Sequence, residues 1–315
     1  MKTVTLNYPI TPEAAKEWGQ PQVAALGQFD GLHRGHAAVI ASAVAEARRL
    51  GVPAAVITFH PHPKDVMGKG DYEGYLTPLQ DKQEILAGMG VDLLYIIEFN
   101  EQLSRVSPHD FVTGMIFPLE LATAVVGFDF RFGYKGEGDA EMLRELGSGR
   151  MEVITTPPFL IGGEKVSSSG IRKSLLSGDL ALANSWFGRP YHLCGTVVDG
   201  EKRGRTIGFP TANLRLADRY VVPAKGVYAV KAYDGETALT GVMNVGVKPT
   251  FHDGSIQPSF EVHLFDFAQD IYGHDLKVEL ISFIRPERKF ESVGALIAQI
   301  GEDAETAKRL LAQLH

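Results

Sequence analysis

"VAALGQFDGLHRGHAAVI" runs from Val23 to Ile40. An apolar run gives way to a glycine-bearing turn and then to helical spacing. Val23–Gly27 reads as a buried strand. From Gly35 onward Ile40, Ala43, Val44, Ala47 and Leu50 recur with helical period, Glu46, Arg48 and Arg49 suit the wet face, and Gly51 is a natural stop. His33 and His36 therefore stand at a helix N-terminus, whose N–H groups and partial positive charge attract phosphate. Residues three apart lie on one side of the first turn. Gly31 and Gly35 remove side chains where a nucleotide must come close. Two imidazoles placed there can donate hydrogen bonds to a triphosphate as charge builds in a transition state. The turn is neither a P-loop nor the G-x-G-x-x-G dinucleotide fingerprint.

Outward from this stretch, strands and helices alternate. Pro53–Phe59, Val91–Phe99, Ala122–Gly127 and Met151–Thr156 are strand-like, and Ser107-Pro108 opens a further helix. This alternation predicts crossover units and a parallel sheet with helices on both faces, an α/β Rossmann-like domain. After about Ser185 the pattern changes. His192–Val198, Phe209–Leu214, Gly226–Tyr233, Leu239–Val247, Phe260–Phe267 and Leu276–Ile284 are strands separated by short turns, which predicts an antiparallel barrel or sandwich. The tail from Ser292 to Leu314 returns to helical spacing. The expected domains are residues 1–184 and 185–315.

The chain has 315 residues, 44% hydrophobic and 22% charged, with a net charge of −7. That balance argues against nucleic-acid binding by bulk electrostatics. One cysteine, Cys194, excludes a disulfide framework within the chain and points to a reducing compartment. The N-terminus lacks a signal-peptide core, and no run reaches the roughly 18 apolar residues of a membrane span. A soluble cytoplasmic protein is expected, with no membrane partner; weak self-association is left open.

"GQFDGLHRGH" (Gly27–His36) resembles the G-x-F-D-G-x-H-x-G-H motif of the nucleotidyltransferase superfamily, in the version seen in bacterial bifunctional riboflavin kinase/FAD synthetases. Other blocks agree in order: "TFHPHP" (Thr58–Pro63), "VVGFDFRFG" (Val125–Gly133), "SSSGIR" (Ser167–Arg172), "GRTIGFPTANL" (Gly204–Leu214), "NVGVKPTF" (Asn244–Phe251), "FEVHLFDF" (Phe260–Phe267) and "RPERKF" (Arg285–Phe290). The resemblance covers nearly the whole chain and implies two ATP-dependent activities. The C-terminal barrel would phosphorylate riboflavin to FMN. The N-terminal domain would transfer AMP from a second ATP to FMN, giving FAD and pyrophosphate. Both steps would need magnesium.

For adenylyl transfer the resemblance assigns phosphate binding and transition-state stabilisation to His33 and His36. Gly27, Phe29, Asp30, Gly31 and Gly35 would form the nucleotide-binding turn, with Asp30 ordering it. Ser168, Ser169 and Arg172 make a second phosphate-binding candidate, since serine hydroxyls cap helices and an arginine fork suits phosphate oxygens. The family has Ile-Ser-Ser-Thr-x-x-Arg where this chain has Val166-Ser167-Ser168-Ser169-Gly170-Ile171-Arg172. Asp129 follows a buried strand, where α/β sheets bind ligands, and Phe128 and Phe130 are expected to pack. His62 is a substrate-contact candidate, or simply a turn histidine between prolines.

For the kinase, Gly204 to Gly208 would bring backbone N–H groups to the phosphates. Thr211 and Asn213 are two apart on a strand-like run, so they share a face, and both offer neutral oxygen to magnesium. The resemblance assigns to Glu261 the deprotonation or orientation of the riboflavin 5′-hydroxyl; His263, on the same strand face, is the rival. Two other classes remain in view. A tRNA-synthetase-like enzyme is opposed by the acidic charge and the lack of a Lys-Met-Ser-Lys-like loop. A flavin-binding sensor with silent sites is opposed by the intact histidine pair, Thr211/Asn213 and Glu261.

Overall fold

The structure is a computed structural model that describes residues 1–68, 72–200, 208–249 and 256–313. The chain forms two compact units, Met1–Tyr72 with Thr77–Ser167, and Glu73–Leu76 with Ser168–His315.

The first unit runs β1 (Lys2–Leu6), α1 (Pro12–Trp18), β2 (Gln22–Leu26), α2 (Arg34–Leu50), β3 (Ala54–His60), α3 (Pro63–Val66), α4 (Leu79–Gly88), β4 (Leu93–Glu98), α5 (Glu101–Ser104), α6 (Pro108–Phe111), β5 (Leu121–Gly127), α7 (Ala140–Gly147) and β6 (Glu152–Thr156). A small antiparallel hairpin follows, β7 (Leu160–Ile161) with β8 (Glu164–Lys165). The main sheet has the order β1-β4-β3-β2-β5-β6, and its pairings are parallel. Every residue of β2 is buried. Its alternate residues feed two different cores: Val23 and Ala25 meet Ile40, Ala43 and Ala47 of α2, while Ala24 and Leu26 join the core under Trp18, Tyr95 and Met115. A strand covered on both faces reads as an unbroken apolar run, and that is how this one was legible.

Helix α2 ends at Gly51, whose φ of 70° is the left-handed conformation a glycine adopts without steric cost. Leu50, expected on the apolar stripe, is exposed. The helix expected at Ser107-Pro108 is short. It is capped by Ser107, spans four residues, and continues as a π turn over Val112–Ile116. Strand β1 and the β7–β8 hairpin were not anticipated. The strand order reverses between β2 and β5, and ligands of open α/β sheets bind at the carboxyl ends of strands flanking such a switch point. The Gly27–His33 turn leaves β2 there, and Asp129 lies just past β5.

The second unit contains α8 (Ser168–Ser177), α9 (Leu180–Phe187), β9 (Tyr191–Val198), β10 (Ala212–Leu216), β11 (Gly226–Asp234), β12 (Thr237–Pro249), β13 (Ile256–Leu264), β14 (Asp275–Pro286) and α10 (Val293–Ala312). The strands close into an antiparallel barrel, β10-β13-β12-β11-β14-β9. All six expected barrel strands are present, although β10 begins at Ala212 rather than Phe209. Helix α10, capped by Ser292, packs Ala304, Ala307 and Leu311 on Val227, Ala229 and Val242. Asp303 of α10 is buried and accepts both Nε and Nη2 of Arg285. That paired geometry compensates the cost of burying the carboxylate. No described helix is long and apolar enough to cross a membrane.

Candidate active sites

The first candidate site grows out of the β2–α2 turn. Gly31 has φ 97°, which favours glycine, and Phe29 and Leu32 also adopt positive φ, at 48° and 40°. Such strained turns persist where the surroundings hold them. His33 is the N-cap of α2, and its Nδ1 accepts the His36 N–H at 3.2 Å. Accepting at Nδ1 leaves the neutral ring's proton on Nε2. The two imidazoles stack, with centroids 3.6 Å apart and planes 17° apart. Phe29 meets His36 edge-on at 5.4 Å. The pair is thus one block, fixed by a cap on one side and an aromatic edge on the other.

Two of the glycines also serve the turn itself. A Cβ on Gly35 would lie 3.2 Å from the His33 ring, and one on Gly27 would lie 3.0 Å from the Phe29 ring. Their bareness makes room for the turn's own aromatic side chains. Gly35→Ala is therefore expected to push the His33 imidazole aside. The ring has to give by only a few tenths of an ångström, so adenylyl transfer should fall by about 10-fold, short of the ~100-fold of a 1 Å misplacement, with kinase activity unchanged in the same preparation.

Asp30 is buried and accepts the Thr77 N–H at 3.2 Å, which ties the turn to the approach to α4. Lys82 of α4 was missed by sequence reasoning. It is buried, and its ammonium donates to the Gln28 carbonyl at 2.8 Å and to Thr58 Oγ1 at 3.2 Å. Burial pushes its pKa down to about 8 against a smaller upward pull from Asp30. The folded chain gives up this proton before the unfolded chain does. Between pH 8 and the usual lysine range the unfolded state binds more protons, so this group's effect on stability becomes more favourable as pH rises.

His62 caps α3, with Nδ1 accepting the Lys64 N–H at 3.1 Å, and stacks on Tyr72 at 4.6 Å. Asp129 is exposed and accepts from the Lys165 ammonium at 3.1 Å. Phe130 packs on Phe132, as expected, but Phe128 does not pack. It is exposed, with the Lys165 ammonium 4.8 Å from its ring centre. The physical reason is its position just past β5, where the chain has left the two-sided cover of the sheet.

Ser168 and Ser169 open α8 as its first residues, so the position preceding the helix belongs to Ser167. Arg172 donates to the Gly74 carbonyl at 2.7 Å. These residues lie in the second unit by contact, whereas His33 and His36 lie in the first.

The second candidate site sits on the barrel. Asn213 of β10 is directly opposite Glu261 of β13, and Glu261 is opposite Asn244 of β12. The Lys248 ammonium, also missed from sequence, lies 2.7 Å from the Glu261 carboxylate and 3.0 Å from Asn213 Oδ1. Thr211 stands just before β10 and lines a cavity of about 380 Å³ with Pro210, Val262, Phe267, Ile271 and Tyr272. The His263 Nδ1 contacts the Pro210 carbonyl at 2.8 Å. A carbonyl only accepts, so that nitrogen carries the proton. Gly208 has φ 85° and is exposed; Gly204 lies outside the described residues.

Comparison with known proteins agrees with this division. Residues 15–170 match the family model described as FAD synthetase, and residues 187–311 match riboflavin kinase. A bifunctional riboflavin kinase/FMN adenylyltransferase of Listeria monocytogenes is 43% identical, with 100% of this chain and 99% of that protein covered. The protein of the same description from Bacillus subtilis is 42% identical, with the same coverage. A crystal structure of a Streptococcus pneumoniae protein described as a macrolide-efflux protein is 33% identical and superimposes with a TM-score of 0.87, covering 98% of this chain and 99% of that one. Identity at this level over the full length, with both family models in order, makes the chain a member of the bifunctional riboflavin kinase/FMN adenylyltransferase family.

Proposed function

We propose that the histidine pair at the β2–α2 turn performs adenylyl transfer to FMN and that the Asn213–Glu261 edge of the barrel performs riboflavin phosphorylation. The observation that carries this reading is that each compact unit holds its own assembled polar cluster, and each cluster falls inside one of the two family-model matches. We set the functional boundary at 184/185, in the interval between those matches.

In the first site an oxygen of the FMN phosphate attacks the α-phosphorus of ATP. The bond from that phosphorus to the bridging oxygen breaks, and pyrophosphate leaves. No covalent protein intermediate is needed, so positioning and charge stabilisation carry the catalysis. The cap on His33 presents its Nε2–H as a fixed donor, and stacking holds His36 beside it. Asp30 orders the turn from behind. Asp129, His62, Ser168, Ser169 and Arg172 are the further candidates for nucleotide or flavin contact.

In the second site the riboflavin 5′-hydroxyl attacks the γ-phosphorus of ATP. The hydroxyl proton passes to Glu261, and ADP leaves. Glu261 is preferred to His263 because it lies directly opposite Asn213 in the barrel ladder and shares the Lys248 cluster with it. Thr211 and Asn213 would hold magnesium, which supplies charge neutralisation of the phosphates. The fit is in the chemistry of the two neutral oxygens; the Lys248 ammonium now bonded to Asn213 Oδ1 would have to release it. The cavity beside Thr211 has the size and mixed lining of a small-ligand pocket. The reading is of a cytoplasmic enzyme, supported by the single cysteine.

Chromatography of flavins after incubation with riboflavin, ATP and magnesium tests this. FMN followed by FAD is the expected course. Riboflavin bound without turnover would favour the sensor reading instead.

A further inference from the structure

We propose that Lys82 is a positioning residue for adenylyl transfer: its buried ammonium locks the Gln28 peptide of the catalytic turn and places a fixed positive charge behind the phosphate-holding histidines. The inference rests on the assignment of adenylyl transfer to that turn.

Three elements converge on this ammonium. Lys82 comes from α4, Gln28 follows β2, and Thr58 lies in β3. The Thr58 hydroxyl donates to the Gln28 carbonyl at 2.9 Å and accepts from Lys82 at 3.2 Å, while Lys82 itself donates to that carbonyl at 2.8 Å. Both lone pairs of the carbonyl oxygen are therefore engaged. The Gln28 side chain adds a bond from its amide to the Phe59 carbonyl at 3.1 Å. In a trans peptide the N–H of the next residue points opposite to the carbonyl. Locking the Gln28 carbonyl toward Lys82 thus fixes the Phe29 N–H in the other direction and sets the start of the positive-φ run at Phe29.

A neutral donor would satisfy the same carbonyl at lower cost. A buried ammonium is expensive, and its lowered pKa of about 8 records that cost. What a cation adds is field. In a low-dielectric interior a full charge acts over several ångströms with little screening, and the reaction next to the turn develops negative charge on phosphate oxygens. Asp30 is the acidic group that faces Lys82 from the turn; Asp81 is its acidic neighbour on α4. Asp30 is already committed to the Thr77 N–H, and desolvation outweighs its pull on Lys82.

Lys82→Met keeps the volume and removes the charge. In the full-length chain it is expected to lower the adenylyl-transfer kcat by about 100-fold while raising the ATP KM less than about fivefold, the pattern of an interaction stronger in the transition state. Riboflavin kinase activity in the same sample should stay within twofold. The wild-type rate of FMN adenylylation should fall above pH 8, where Lys82 loses its proton, and the variant should lack that alkaline limb. Thr58→Val serves if Lys82→Met does not fold. Removing one acceptor from the ammonium should move the alkaline limb to lower pH. Wild-type kcat and an unshifted limb in either variant would overturn the role of Lys82 while leaving the site assignment standing. A wild-type chain that makes no FAD from FMN would overturn the site assignment and this role with it.

Discussion

A His36→Ala chain given riboflavin, ATP and magnesium is expected to stop at FMN. The substitution removes one donor to the reacting phosphates, and single donors of this kind are worth about 10²–10³ in rate. It also removes the ring that stacks on His33 at 3.6 Å and the surface that Phe29 meets edge-on. Loss of both the donor and its neighbour's support should bring the decrease in FAD formation to about 10³-fold or more. The fold should survive. His36 is only partly buried, its backbone N–H still reaches the His33 cap, and alanine is the best helix former. Kinase activity is the internal control. FMN should accumulate at the wild-type rate, measured by separating the three flavins over time.

Glu261→Gln is expected to do the reverse. The amide keeps the shape of the carboxylate and can still meet the Lys248 ammonium, so β13 keeps its register with Asn213 and Asn244. It accepts no proton at neutral pH. Removing a general base costs about 10²- to 10⁴-fold, and FMN formation should fall by that factor. FMN supplied directly should still become FAD at the normal rate. Were His263 the base, the variant would retain most of its kinase rate. The place of Glu261 opposite Asn213, in the cluster that Lys248 completes, argues for Glu261.

Where burial and local turn chemistry decide the structure, the sequence was informative. Strand β2 is apolar at every position but the first, because both faces of the sheet are covered. The glycine stop at Gly51 and most of the apolar stripe of α2 leave local marks. The barrel strands are separate strand-like runs, so their number could be read in order. Contacts between distant segments left no such mark. Lys82 sits in "LTPLQDKQEIL", where a lysine reads as a solvated helix residue; only the packing of α4 over β2 and β3 turns it inward to Gln28 and Thr58. Lys248 likewise gains meaning only when β12 and β13 pair and bring it to Glu261. Gly35 was noticed as room for a nucleotide, but its closeness to the chain's own His33 ring left no mark in the sequence. The switch point between β2 and β5, which places the turn and Asp129 on one edge, depends on a strand order that no local pattern encodes.

The central claim is that one chain carries two separately assembled sites joined in sequence by FMN. Mixing His36→Ala with Glu261→Gln in equal amounts tests it most directly. Each variant alone, given riboflavin, ATP and magnesium, should make essentially no FAD. Together they should convert riboflavin to FAD after a lag, as FMN made on one chain is adenylylated on the other. Failure of the mixture to make FAD while both variants remain folded, or full conversion by either variant alone, would contradict the account.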